Sequence, residues 1–169
     1  FCWNTSSGVA FPRGWTRSLL NLLGQNNIKP EVNDQRRTLE LIELDFRGTL
    51  REYQLAALMD VRKRDFGVLE AATASGKTVT ALAAIVERKQ PTLILVHTKE
   101  LLYQWAEKIR EFLGIDPGLI GDGKFNIHSV TVAIVNTAKK HLDELPEHFG
   151  HLVVDECHRV PSSIFTDVV

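Results

Sequence analysis

Short apolar runs without alternation constrain the fold of this chain more than any other feature. Residues 66–69, 92–97, 130–135 and 152–154 are rich in Val, Ile and Leu and carry no polar–apolar alternation. A strand with one wet face alternates, whereas a strand covered on both faces does not, so these runs predict strands of a buried parallel sheet. Between them, residues 51–63, 77–88, 99–112 and 136–142 space their apolar side chains as amphipathic helices do. The alternation of strand and helix predicts an α/β fold with a doubly wound, mostly parallel sheet, whose ligands sit at the C-terminal strand ends.

Residues 1–48 follow a different plan: a Pro12-Arg13-Gly14 turn, a helix carrying Leu19, Leu20, Leu22 and Leu23, then a polar Gly24-Gln25-Asn26-Asn27 loop. They are predicted to form a small α+β accessory segment ahead of the main domain at residues 49–169. A chain of 169 residues is the size of one domain, able to bury about 70% of its unfolded surface. It begins at Phe1 without an initiator methionine and is expected to be a piece of a longer protein.

The run Phe66-Gly67-Val68-Leu69 leads into Ala71-Ala72-Thr73-Ala74-Ser75-Gly76-Lys77-Thr78, which opens a helix. Such a junction exposes unpaired backbone N–H groups whose partial positive charge suits a polyphosphate. Gly76 allows close backbone approach, Lys77 offers a point charge to the terminal phosphates, and the Thr78 hydroxyl is placed for Mg²⁺. Ala71 stands where the first glycine of the usual pattern falls. The plainer alternative is a small-residue helix start with an exposed lysine. Further on, His151-Leu152-Val153-Val154-Asp155-Glu156-Cys157-His158 puts two carboxylates at the end of another buried run. One can hold a metal, and its neighbour can take a proton from an attacking water.

A net charge of -1 and a pI near 6.7 exclude bulk electrostatic attraction to nucleic acid, so any such contact must come from a local groove. The basic clusters Arg36-Arg37 and Arg62-Lys63-Arg64 read as solvated faces or helix ends, and Gly121-Asp122-Gly123-Lys124 reads as a turn. With Cys2 and Cys157 far apart in sequence, no disulfide framework is expected. No apolar run approaches the roughly 18 to 20 residues of a membrane span, and the first residues lack the basic-then-apolar plan of a signal peptide. A cytoplasmic location without a membrane partner is the expectation.

Taken together, these blocks resemble the first RecA-like domain of superfamily 2 helicases, in particular the motors of type III restriction enzymes and excision-repair helicases of the xeroderma-pigmentosum-B type. Leu50-Arg51-Glu52-Tyr53-Gln54 resembles the Q motif, and residues 72–78 motif I. TLILVHTKELLYQW at 92–105 is similar to motif Ia, VTVAIVNTA at 130–138 to a later nucleic-acid-contacting block, and Asp155-Glu156-Cys157-His158 to a DExH motif II. Arg159-Val160-Pro161 follows where relatives often carry His-Val-Pro.

The resemblance implies that Gln54, with Arg51, reads adenine. Thr73, Ala74, Ser75, Gly76, Lys77 and Thr78 would hold the phosphates of ATP, Thr78 and Asp155 would hold Mg²⁺, and Glu156 would activate water. It further implies that His158 couples nucleotide to motion, and that His97, Thr98, Lys99, Asn136 and Thr137 meet a nucleic-acid backbone, expected to be DNA. A second RecA-like domain bearing an arginine finger is the implied partner. Without that arginine, worth about 10³ to 10⁵ in rate, the chain is expected to bind nucleotide and hydrolyse it poorly. Plainer roles exist for several of these residues. Thr98 and Asn136 can cap helices, His158 can be a structural histidine, and Gln54 a solvated helix residue. Trp105, on an apolar face with Leu101, Leu102 and Ile109, reads as core. A small-molecule kinase or a non-catalytic nucleotide-binding adaptor would share the phosphate loop.

Overall fold

The structure is a computed structural model that describes residues 3–5, 8–11, 15–31, 38–72 and 74–159. The predicted Pro12-Arg13-Gly14 turn, the Arg36-Arg37 cluster, Thr73 and the Val160-Pro161 pair lie outside the described residues. The chain divides into two compact units, Phe1–Arg36 and Arg37–Val169. In the first, β1 (Trp3–Thr5) and β2 (Gly8–Ala10) pair antiparallel, and α1 (Thr16–Gln25) carries the predicted leucines.

In the second unit, α2 (Glu52–Arg62), α3 (Lys77–Arg88), β3 (Thr92–Val96), α4 (Lys99–Leu113), β4 (Gly118–Gly121), β5 (Lys124–Phe125), β6 (Val130–Ile134), α5 (Val135–Ala138) and β7 (His151–Val154) follow in order. The sheet order is β5-β4-β6-β3-β7, parallel except at the β4–β5 hairpin. Successive residues of β3 explain the missing alternation. Ile94 and Val96 join Leu82, Ile85, Leu102 and Ile109 in one core, while Leu93 and Leu95 join Ala133, Val135 and Leu145 in the other. Both faces are therefore dry, and each fully buried Leu or Ile contributes about 1.5 to 3 kcal/mol. A third cluster, Leu58 with Ala83 and Ala84, seats α2 on α3.

Residues 38–48, which the sequence pattern assigns to the accessory segment, are tied to the second unit. The Ile42 N–H donates to Lys89 O at 2.9 Å, the Arg47 N–H donates to Phe112 O at 2.7 Å, and the Phe46 ring stacks on Phe112.

Two features differ from the expectations set by the apolar runs. The run 66–69 is not a strand: Phe66 and Val68 are exposed and the segment pairs with no neighbour among the described residues. Four residues broken by Gly67 offer little side-chain packing to offset ordering an extended segment. Conversely, β4 is a strand with no sequence signature, because glycines bound its apolar pair, Leu119-Ile120. Gly118 is needed there, since a side chain would press into Thr131 and the Asn126 and His128 backbone. The Gly121–Lys124 turn does form, as the tip of the hairpin that follows β4.

At the base of the β3–β7 pair, Thr92 Oγ1 donates to Gln90 O at 2.8 Å and so accepts from His151 Nδ1 at 3.1 Å. Burial first, and the Arg88 charge second, lower the His151 pKa from 6.5 to about 4. The unfolded chain therefore takes up a proton before the folded one does. Stability is full above about pH 6.5 and falls as pH drops through 6.5 toward 4, by roughly 3 kcal/mol at most. Urea unfolding of wild type and His151→Gln across this window is expected to show a shallower decline in the variant. Parallel declines would contradict the assignment.

Candidate active site

The loop before α3 is shaped by backbone geometry that a side chain resists. Gly76, the residue preceding α3, is left-handed at φ 78°, and Ala74 is also left-handed at φ 62°. An alanine there costs about 1 to 2 kcal/mol, strain of the kind that collects at functional sites. At residue 76 a Cβ would in addition collide with the Gln54 amide nitrogen. The Ser75 N–H donates to Ala72 O at 3.2 Å, and Lys77 Nζ folds back to donate to Ala71 O at 2.9 Å and Ala72 O at 3.2 Å. Ser75 Oγ is buried and has no hydrogen-bond partner among the described residues.

The carbonyl side of the loop rests on α2. Buried Gln54 accepts from the Arg51 N–H at 2.9 Å and donates to Ser75 O at 3.2 Å and Gly76 O at 3.3 Å. Tyr53 Oη donates to Ser75 O at 2.9 Å and accepts from Arg51 Nη1 at 3.2 Å. Gln54 is thus neither solvated nor free: both ends of its amide brace the loop.

The acidic pair leaves the sheet beside β3. Register pairs Leu95 with Val154, and the Asp155 N–H continues the ladder to Leu95 O at 3.0 Å. Asp155 Oδ2 accepts from Trp105 Nε1 at 2.8 Å. Glu156 is left-handed at φ 50°, and its Oε2 lies 3.3 Å from His158 Nδ1, an ion pair whenever the imidazole is protonated. His97, one residue past β3, holds a buried Nε2 without a partner among the described residues.

The nucleic-acid candidates lie on the same sheet edge, because Val96 registers with Ile134. Thr98 caps α4, its Oγ1 accepting from the Leu101 N–H at 3.3 Å. Lys99 pairs with Asp122 at 2.8 Å, and Asp122 also accepts from Tyr103 Oη at 2.7 Å. The Asp122 contact raises the Lys99 pKa, and Lys99, then Tyr103, lower that of Asp122. Asn136 is exposed inside α5 and caps nothing, the cap being Ile134; Thr137 is half-buried.

The structure therefore gathers Arg51, Gln54, Ser75, Gly76 and Lys77 into one cluster, and Asp155, Glu156 and His158 into another. Among the described residues no hydrogen bond or ion pair joins the two. Nor, among those residues, could any group of three or more His, Cys, Asp or Glu hold a metal. The residues fit magnesium nucleotide nonetheless. Ser75 Oγ is a donor awaiting an acceptor, the loop supplies left-handed backbone for an anion, and Thr78 and Asp155 offer hard oxygens. Mg²⁺ is ordinarily held by one or two carboxylates plus substrate phosphates, not by an all-protein cage. Sequence reasoning missed Tyr53, Asp122 and the Trp105 contact. A buried tryptophan signals only that its N–H has a partner, not which one.

A helix-flanked parallel sheet, a glycine-turned loop ahead of Lys77-Thr78 and an acidic pair at a strand tip agree with the resemblance, and similarity to known proteins places the chain with the first RecA-like domain of superfamily 2 helicases. Residues 47–169 match the family described as type III restriction enzyme, res subunit, and the chain belongs to that family. It is similar to the DNA 3'-5' translocase XPB2 of Sulfurisphaera tokodaii, 38% identical over 113 residues, which are 67% of this chain and 26% of that protein. It is also similar to the probable helicase D10 of Escherichia phage T5, 32% identical over 150 residues, 88% of this chain and 33% of that one. The solved UvsW helicase of bacteriophage T4 shares the fold with a TM-score of 0.73 at 18% identity, over 97% of this chain and 68% of that chain. The chain spans about a quarter to a third of these curated relatives.

If Gln54 braces the loop, Gln54→Ala is expected to lower unfolding stability by about 1 to 2 kcal/mol without any ligand. Denaturant unfolding of the free protein measures this. An unchanged midpoint would leave Gln54 with no structural duty.

Proposed function

We propose that this chain is the nucleotide-binding half of an ATP-driven motor that translocates on or unwinds nucleic acid, with DNA as the track. The observation that carries the reading is the loop: left-handed Gly76 turns the chain into α3 with Lys77 and Thr78 leading, while Ser75 Oγ sits buried and unpartnered. The DNA assignment rests on the relatives, which include proteins named as a DNA 3'-5' translocase and putative DNA 3'-5' helicases.

Lys77 is held by two neutral carbonyls. Charged phosphate oxygens are stronger acceptors, so exchange of one for the other is favourable. Ser75 and the first N–H groups of α3 would bind the remaining oxygens. Thr78 and Asp155 would hold Mg²⁺, which when bound offsets charge on the phosphates. Glu156 would take the proton as water attacks the terminal phosphorus and the bond to the bridging oxygen breaks. His158, 3.3 Å from that carboxylate, would sense the change and relay it. Gln54, with Arg51, would read adenine and link it to the loop through the contacts Gln54 makes with Ser75 and Gly76. His97, Thr98, Lys99, Asn136 and Thr137 would meet the nucleic-acid backbone, contacts that position without reading sequence. A second RecA-like domain would complete the site with an arginine. No helix among the described residues is long and apolar enough to cross a membrane.

Titration calorimetry with magnesium and ATP tests the loop and the acidic pair together. Lys77→Ala is expected to weaken binding at least about tenfold while the fold is kept, since a surface lysine adds within about 0.5 kcal/mol to stability. Glu156→Gln is expected to bind as wild type does, because its duty is proton transfer. Unchanged affinity in a folded Lys77→Ala variant would overturn the assignment.

A further inference from the structure

The Trp105–Asp155 hydrogen bond joins two elements that nothing in the function above requires to touch. Trp105 sits in α4 at 3% exposure, packed in the core with Leu82, Ile85, Leu102 and Ile109. An indole of that burial could equally be a Leu or Phe if packing were its whole duty. Its one polar atom instead donates at 2.8 Å to Oδ2 of Asp155, fifty residues away in sequence. The Asp155 backbone is held independently by the donation of its N–H to Leu95 O at 3.0 Å. With the backbone anchored by the sheet and one carboxylate oxygen anchored by the indole, the side-chain torsions are set and Oδ1 is left for another partner.

We infer that Trp105 is a positioning residue for Asp155, aiming Oδ1 at the magnesium that accompanies nucleotide. The inference rests on the proposed role of Asp155 as a magnesium ligand. Mg²⁺ demands near-ideal octahedral ligation and so tolerates little error in ligand direction, and groups that hydrogen-bond to metal ligands commonly carry 10- to 100-fold of metal affinity. A rigid donor suits such positioning, because the indole N–H cannot accept a proton, cannot carry charge, and on a core-packed ring cannot swing away. It also makes the metal ligand dependent on the seating of α4, the helix that begins at Thr98 and Lys99 on the sheet edge. Displacement of α4 would then be felt at Asp155.

The test is ATP binding by this chain as a function of Mg²⁺ concentration, with EDTA as the metal-free reference. Trp105→Phe keeps an aromatic ring in the core and removes the donor. Site-specific 3-benzothienylalanine at position 105 keeps the bicyclic volume and replaces N–H by sulfur, so a folding defect in the phenylalanine variant does not block the experiment. Both are expected to need about tenfold more Mg²⁺ for half-maximal binding, with affinity in EDTA unchanged. A wild-type Mg²⁺ dependence in the benzothienyl protein would overturn the inference and leave Trp105 as core alone. Equal losses with and without Mg²⁺ would also overturn it, as a packing effect. Failure of the wild-type chain to bind ATP would overturn the proposed function, and this inference with it.

Discussion

Parallel pairing of β3 with β6 and β7 is the constraint from which the site follows. Parallel neighbours need a crossover between each strand and the next, so all three leave the sheet on one edge. The register Leu95 to Ala133 on one side and to Val154 on the other then places Val96, Ile134 and Asp155 next to one another, with His97, Val135 and Glu156 one residue further on. Because crossovers cover both faces of β3 and β6, these strands are mainly apolar, with Thr131 a buried polar residue inside β6, and the carboxylates appear where β7 ends. The carboxylates, the unpartnered His97 nitrogen and the Thr98-Lys99 helix start are consequences of that geometry. A slip of one residue in β7 would exchange Asp155 for Glu156 at the end of the ladder and turn both to the wrong face.

The loop before α3 depends on a second, more local constraint. Its turn requires left-handed backbone at residues 74 and 76, and the carbonyls this exposes are taken by Tyr53 and Gln54 from α2 and by Lys77 itself. The hydrophobic seat of α2 on α3 around Leu58 therefore supports a polar function: it brings Gln54 to the loop. Strain in the backbone and engagement of the Ala71, Ala72, Ser75 and Gly76 carbonyls leave the N–H groups that open α3 available to an anion. That division suits the proposed phosphate site despite alanine in place of a first glycine.

Much of this architecture is legible in the residues alone. The helices α2, α3 and α4 begin and end within about one residue of their periodic patterns, because their apolar stripes are long enough to be unambiguous. Strands β3, β6 and β7 stand out as continuous apolar runs. What escapes is short or long-range. β4 has two apolar residues between glycines, too few for a pattern, and 66–69 has the composition of a strand without a paired neighbour. Gln54 looks like a surface residue of a helix, and only the fold shows its amide spanning Arg51 and the loop. The Asp122–Lys99 pair depends on where a hairpin tip lands, and the Trp105–Asp155 bond on where α4 seats against the sheet. Neither position is encoded in local spacing.

The central claim is that the loop cluster and the strand-tip cluster, unconnected by any direct bond among the described residues, form one magnesium–nucleotide site. Paramagnetic broadening by Mn²⁺–ATP, read in proton–nitrogen correlation spectra of the labelled chain, tests this directly. The account expects the amides of residues 74–78 and 155–156 and the Trp105 indole N–H to broaden together at substoichiometric Mn²⁺, with an equal excess of Mg²⁺–ATP restoring them. Broadening confined to the loop, with Asp155, Glu156 and the Trp105 indole unaffected, would contradict it.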